Sequence, residues 1–166
     1  MRLTTRTNLA MRTLMFCAVN DGRIVRSSEI ATACNASINH LMQVVHLLHV
    51  NGFVVATRGR TGGLTLAKRA SDIVVGEVFR VFEAGLPFAE CFSEDGNTCP
   101  LTDHCRLRSG IARAVESFYR ELDTLTLHDL VVDNCGLIAM LTLEDLPARH
   151  CAKAGATPML MPVTAG

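Results

Sequence analysis

Tryptophan is absent, tyrosine occurs once and aromatics make up only 5% of the residues, so the core must be built from Leu, Val, Ile, Ala and Met, a composition that suits helices. Long apolar runs are missing too. The sequence has no stretch of about 18 apolar residues, the length that could span a bilayer. The opening Met1-Arg2-Leu3-Thr4-Thr5-Arg6 lacks the apolar core and small-residue cleavage site of a secretory signal. A cytoplasmic protein with no membrane partner is expected, where disulfides are disfavoured and seven cysteines read as core residues, catalytic thiols or metal ligands. CxxC pairs, the mark of zinc ribbons, are absent.

Net charge is also absent, with 16 basic against 16 acidic residues, but the balance hides an asymmetry. Residues 1–70 carry nine Lys and Arg against Asp21 and Glu29, a balance of +7, and residues 71–166 carry seven against fourteen. The basic half is the half suited to a nucleic-acid partner. A chain of 166 residues holds one compact domain with an appendage.

Apolar periodicity predicts a first helix over residues 8–20, ended by Asn20-Asp21-Gly22. A second runs from a capping Ser27 or Ser28 to Cys34, and a third from Ser37 to about Asn51. The tight joint Cys34-Asn35-Ala36-Ser37 makes the last two a helix-turn-helix unit. Residues 53–57 and 64–67 read as strands around a glycine-rich turn, a β-hairpin with a basic tip. A further helix is expected from a cap at Ser71-Asp72-Ile73 to about Glu83, completing a unit over 1–83. A loop over 84–105 follows, then a long helix over about 104–124 and a short one over 126–131. Residues 144–166 lose periodicity and read as a flexible tail. The fold class is mainly α with a small hairpin wing: a winged helix-turn-helix domain plus a long dimerisation helix.

Two constellations carry chemistry. On the third helix, Leu41, Val44, Val45 and Leu48 form the core stripe, leaving Asn39, His40, Gln43 and His46 on or near the exposed side. Ser37 and Asn39 can reach phosphate or bases, His40 either, and Gln43 has the amide geometry that pairs with adenine. Arg58 and Arg60 at the hairpin tip supply forked donors for phosphates or a narrow minor groove. A solvated helix face and an ordinary charged hairpin are the plain alternatives. The second constellation is Cys91, Cys99 and Cys105 on a loop rich in Gly, Pro, Asp and Asn, a pliable segment able to wrap an iron–sulfur cluster or, alternatively, zinc. Cys17 and Cys34 sit among apolar neighbours and read as buried structural thiols, and Cys135 and Cys151 likewise as non-ligands. His104 beside Cys105 does not face it on a helix, so no nucleophile and base pair forms and no enzyme is expected.

Three segments together resemble one family. They are the opening Met1-Arg2-Leu3-Thr4, the block Arg58-Gly59-Arg60-Thr61-Gly62-Gly63-Leu64-Thr65-Leu66, and the loop from Ala89-Glu90-Cys91 through Thr98-Cys99-Pro100-Leu101 to Cys105-Arg106-Leu107. The family is that of the winged-helix iron–sulfur transcriptional regulators, whose branches include NsrR, RirA and IscR, and the resemblance spans about residues 1–143. It implies a homodimer whose long helix crosses its partner's, a 4Fe–4S or 2Fe–2S cluster on the cysteine triplet, and repression at palindromic double-stranded operator DNA. Asn39-His40-Leu41-Met42 and Leu125-Thr126-Leu127-His128-Asp129-Leu130 are similar to the nitric-oxide-sensing NsrR branch. Residues 1–21 and the seven-residue gap between Cys91 and Cys99 are similar to the iron-responsive RirA branch. Some NsrR members place an Asp ligand where Asn8 stands, and IscR a His where Arg108 stands. The fourth ligand is left open among solvent, Asn8, Asp103 and His104.

Overall fold

The computed structural model describes residues 3–59, 62–83, 85, 87–93 and 95–143. Helix α1 (Thr5–Val19) starts earlier than periodicity alone predicts, because the Thr4 hydroxyl accepts the Thr7 amide and caps it. The Glu83 carboxylate closes this end, accepting from the Thr4 amide at 2.9 Å, from the Thr4 hydroxyl at 3.0 Å and from the Thr7 hydroxyl. α2 (Ser27–Ala33) and α3 (Ile38–Val50) follow, then an antiparallel hairpin of β1 (Val54–Thr57) and β2 (Gly63–Leu66) with Val54 opposite Leu66 and Thr57 opposite Gly63. The helix expected from residues 71–73 is broken. A 3-10 turn, Ala70–Asp72, precedes Ile73 in extended conformation, and α4 (Val75–Glu83) begins only afterwards. Ile73 and Val75 are bonded across to residues 125–127, with Leu127 N donating to Ile73 O at 2.8 Å and Val75 N to Leu125 O at 2.9 Å. That long-range bridge takes the backbone out of the helix.

The long helix is α5 (Arg106–Asp123), followed by α6 (Leu127–Val131) inside a Thr126/Asp129 capping box. α7 (Cys135–Leu141), capped by Asn134, was not foreseen from its apolar sequence. The expected tail, 144–166, lies outside the described residues, as does Arg60.

α1 is buried nearly all round, packed against α3, α4, α6 and the hairpin, and Leu14, Phe16, Ile30, Leu41, Leu48, Leu64 and Leu127 fill the centre. α5 has no fully buried residue. Its C-terminal half rests on α4 through Phe118 against Phe79, ring centres 6.0 Å apart, and a two-pronged Arg80–Asp123 ion pair at 2.6 and 2.7 Å. Gly76 makes that approach possible, since a Cβ there would lie 2.0 Å from Asp123 Oδ1. In the N-terminal half Leu107 is 70% exposed.

The buried Asn20, C-cap of α1, ties the end of α7 to this core. Its amide donates to Phe16 O and Leu141 O, both at 2.8 Å, and its carbonyl accepts from Leu143 N at 3.0 Å. Asn20→Ala removes the bonds to Leu141 O and Leu143 N, while Phe16 O keeps the residue-20 amide at 3.2 Å, and is expected to cost about 1–3 kcal/mol, read as a lower urea midpoint.

Candidate nucleic-acid interface and cysteine loop

The turn between α2 and α3 is held from both sides. Ala36 N donates to Ala31 O at 2.9 Å, and Asn35 takes the left-handed conformation (φ 48°) that Asn tolerates better than most residues. Arg12 of α1 reaches across to donate to Cys34 O at 3.0 Å. The Ser37 hydroxyl caps α3 by accepting the His40 amide at 3.3 Å.

With Leu41, Val44, Val45 and Leu48 inward, helical geometry sets Asn39, Gln43 and His46 on the opposite, exposed face. The two flanks differ. Met42, His46 and His49 border a cleft of about 410 Å3 whose other wall is the hairpin, with Arg58, Gly59 and Gly62. His40 is turned the other way, into a cavity of about 570 Å3 beside Thr4, Thr5 and Arg6 of α1 and Phe82 of α4. Of the expected contact residues, Asn39 and Gln43 share the outward face, Arg58 lies on the hairpin across the cleft, Ser37 is the cap and His40 stands on the far flank. Met42 and His49, which also border the cleft, were not singled out in the sequence. Their only signal was a place three or four residues from His46 on the same helix.

The hairpin tip requires glycine twice. Gly59 has φ 113°, and a Cβ on Gly62 would lie 2.2 Å from Thr57 O.

Cys91, Cys99 and Cys105 are free, half-exposed thiols on the segment joining α4 to α5. Cys91 sits in a 3-10 turn, Glu90–Phe92; Cys99 precedes another, Thr102–His104; Cys105 is the N-cap of α5. Side chains not foreseen from sequence tie these turns together. The Glu90 carboxylate accepts from the Thr98 amide and, at 2.7 Å, from its hydroxyl, which holds that carboxyl below the usual range. Arg108 donates its amide to Cys105 Sγ at 3.3 Å and its guanidinium to Cys91 O at 2.9 Å, with the guanidinium over the Phe92 ring. Thr102 donates its hydroxyl to Cys99 O at 2.8 Å.

Among the described residues no three His, Cys, Asp or Glu side chains stand gathered as a metal-holding group. The hydrogen bonds instead fix the backbone carrying the thiols. Asn8 is exposed on α1, and Asp103 and His104 are exposed in the turn before Cys105. Cys17 and Cys34 are different in kind. Burial, with Cys34 adding to it, pushes the Cys17 thiol up to about 12, and burial raises Cys34 against the opposing charge of Arg12. Both are held as thiols rather than as the thiolates that bind metal.

Residues 3–133 match the family model of Rrf2, an iron-dependent transcriptional regulator. The chain belongs to the Rrf2 family. It is 42% identical over 142 residues to the HTH-type transcriptional regulator NsrR of Geobacillus kaustophilus, covering 85% of this chain and 97% of that one. Among solved structures it is similar to IscR of T. potens, with a TM-score of 0.60, 26% identity and 80% and 88% of the two chains covered. It is also similar to CymR, the global cysteine regulator of B. subtilis, at TM-score 0.58, 26% identity and 79% and 96% coverage. This chain is therefore an Rrf2 transcriptional regulator of winged-helix fold, mostly helical with one two-stranded hairpin. No helix among its described residues is long and apolar enough to cross a membrane.

Proposed function

We propose that this Rrf2 regulator is a homodimeric repressor that binds operator DNA through α3 and the wing, under the control of an iron–sulfur cluster on the loop between α4 and α5. The observation that carries the reading is the set of three free thiols, Cys91, Cys99 and Cys105, on one hydrogen-bonded loop between the winged unit and α5. The donor set fits the group: three sulfurs free of disulfides, the ligand type such clusters require. A bound cluster supplies iron that reacts with nitric oxide and depends on iron supply. Asn39, Gln43, Ser37 and His40 from α3 and its cap, with Arg58 and Arg60 from the wing, are assigned to the DNA.

Glu90 and Arg108 set the rest shape of the loop. α4 leaves from one end, where Glu83 clasps the start of α1, and α5 from the other, so a change in the spacing of the three thiols is passed to both. The exposed Leu107 and the half-exposed Ile111 and Val115 support a partner helix against the N-terminal half of α5.

The likeness to NsrR favours nitric oxide as the signal; the description of the family as iron-dependent favours iron status as the second reading. Affinity of anaerobically purified protein for DNA it selects from a random pool separates them. Loss of affinity at stoichiometric nitric oxide is expected, and loss only under an iron chelator would support the second reading. Affinity unchanged by either treatment would sink cluster control.

A further inference from the structure

The cleft between α3 and the wing has a lining of one electrostatic sign. Among the described residues its chargeable groups are His46 and His49 from α3 and Arg58 from the hairpin, with Ser27 at the start of α2 and no carboxylate in the lining. The nearest acidic residue of α2, Glu29, is held by Arg23 at 2.7 Å and accepts the Arg26 amide. The Val54 carbonyl, which can only accept, lies 3.1 Å from His49 Nδ1, so Nδ1 carries the proton of that bond. His46 stands three residues earlier, a neighbour on the same helix surface.

When α3 enters a major groove and the wing the adjacent minor groove, the sugar–phosphate strand dividing the grooves must pass between them. The space between them here is this cleft. We infer that it is a phosphodiester seat in which His46 and His49 bind one backbone phosphate as imidazolium ions, so that DNA binding takes up protons. The inference rests on the DNA-binding reading above.

An imidazole facing a phosphate is favoured in its protonated form. A tenfold preference for the imidazolium in the complex makes affinity fall about sixfold from pH 6 to pH 8 for each imidazole. The sign follows from linkage: protonation is favoured in the complex, so the gain is complete at low pH and is lost as pH rises. The carboxylates that the fold holds below their ordinary range, Asp72, Glu90, Asp123 and Asp129, titrate well below this window.

The test is fluorescence anisotropy with anaerobically purified full-length protein and a duplex selected by the wild type from a random pool, at pH 6, 7 and 8 over a salt series. Wild-type affinity is expected to fall across that range. His46→Gln and His49→Gln each remove about sixfold of the dependence, the double variant removes both shares, and each lowers the salt slope. His46→Lys is expected to keep affinity at pH 8 and lose its share of the pH dependence, while His128→Gln behaves as wild type. Should His49→Gln loosen the joint between α3 and β1, the two His46 variants decide. Gln variants that bind DNA with the wild-type pH dependence and salt slope would overturn the seat. Failure of the wild type to bind any duplex in any cluster state would overturn the DNA reading and the seat together.

Discussion

Replacing any one of Cys91, Cys99 or Cys105 with Ala is expected to strip the iron and the visible absorbance from anaerobically purified protein and to lower operator affinity about a thousandfold, to the non-specific level. Cys91 lies in one turn, Cys99 stands ahead of the next and Cys105 caps α5, so each thiol has its own place and no neighbour can substitute for the one removed. Cys17 and Cys34 are buried in the core and held protonated, which bars them from taking its place. The matched control is Cys34→Ala, which removes a buried sulfur and costs about 1–2 kcal/mol of packing while leaving iron content intact. Iron per protomer, the visible spectrum and anisotropy on one preparation measure all three quantities. Triplet variants that each keep a full spectrum would end the assignment. A spectrum lost without change in affinity would separate the cluster from DNA control.

The parts of this molecule legible in the sequence are those whose cause is local. α3 was readable because Leu41, Val44, Val45 and Leu48 repeat at helical spacing behind a serine cap, and the hairpin because glycines punctuate two apolar runs. The break at Ile73 was not readable, since its cause is a bridge to residues some fifty positions further on. Thr5 to Thr7 joined α1 because Glu83 supplies a carboxylate to Thr4 and Thr7. α7 has too few residues for a period to emerge, and what holds its end is Asn20, distant along the chain. The cysteine triplet stood out by residue type alone. The side chains that organise it, Glu90 and Arg108, are ordinary charges whose partners lie 8 and 17 residues away. The flank that His40 occupies depends on where α1 and α4 pack, so sequence placed it near the exposed side without showing that it turns from the wing.

The wing carries the other large effect. Val25 and Leu64, both fully buried, exchange two backbone hydrogen bonds, Val25 N to Leu64 O at 2.9 Å and Leu64 N to Val25 O at 2.7 Å. This bridge docks the hairpin on the segment entering α2. The preceding residue must be glycine, because a Cβ on Gly63 would fall 2.4 Å from Val25 O and 2.7 Å from Ile24 Cγ2. The isoleucine side chain can turn aside, whereas the carbonyl is the acceptor that the bridge needs. Gly63→Val is therefore expected to cost about 3 kcal/mol or more through overpacking and the lost bridge. Where the protein stays folded, DNA affinity should fall about tenfold or more with a shallower salt slope, because a displaced wing takes Arg58 from the phosphates. Gly59→Ala at the tip meets open space and only a strained φ, and should cost about 1–2 kcal/mol. Urea unfolding with anisotropy over a salt series compares the two. An unfolding midpoint and salt slope for Gly63→Val equal to wild type would show that the wing's position owes nothing to the Val25–Leu64 bridge.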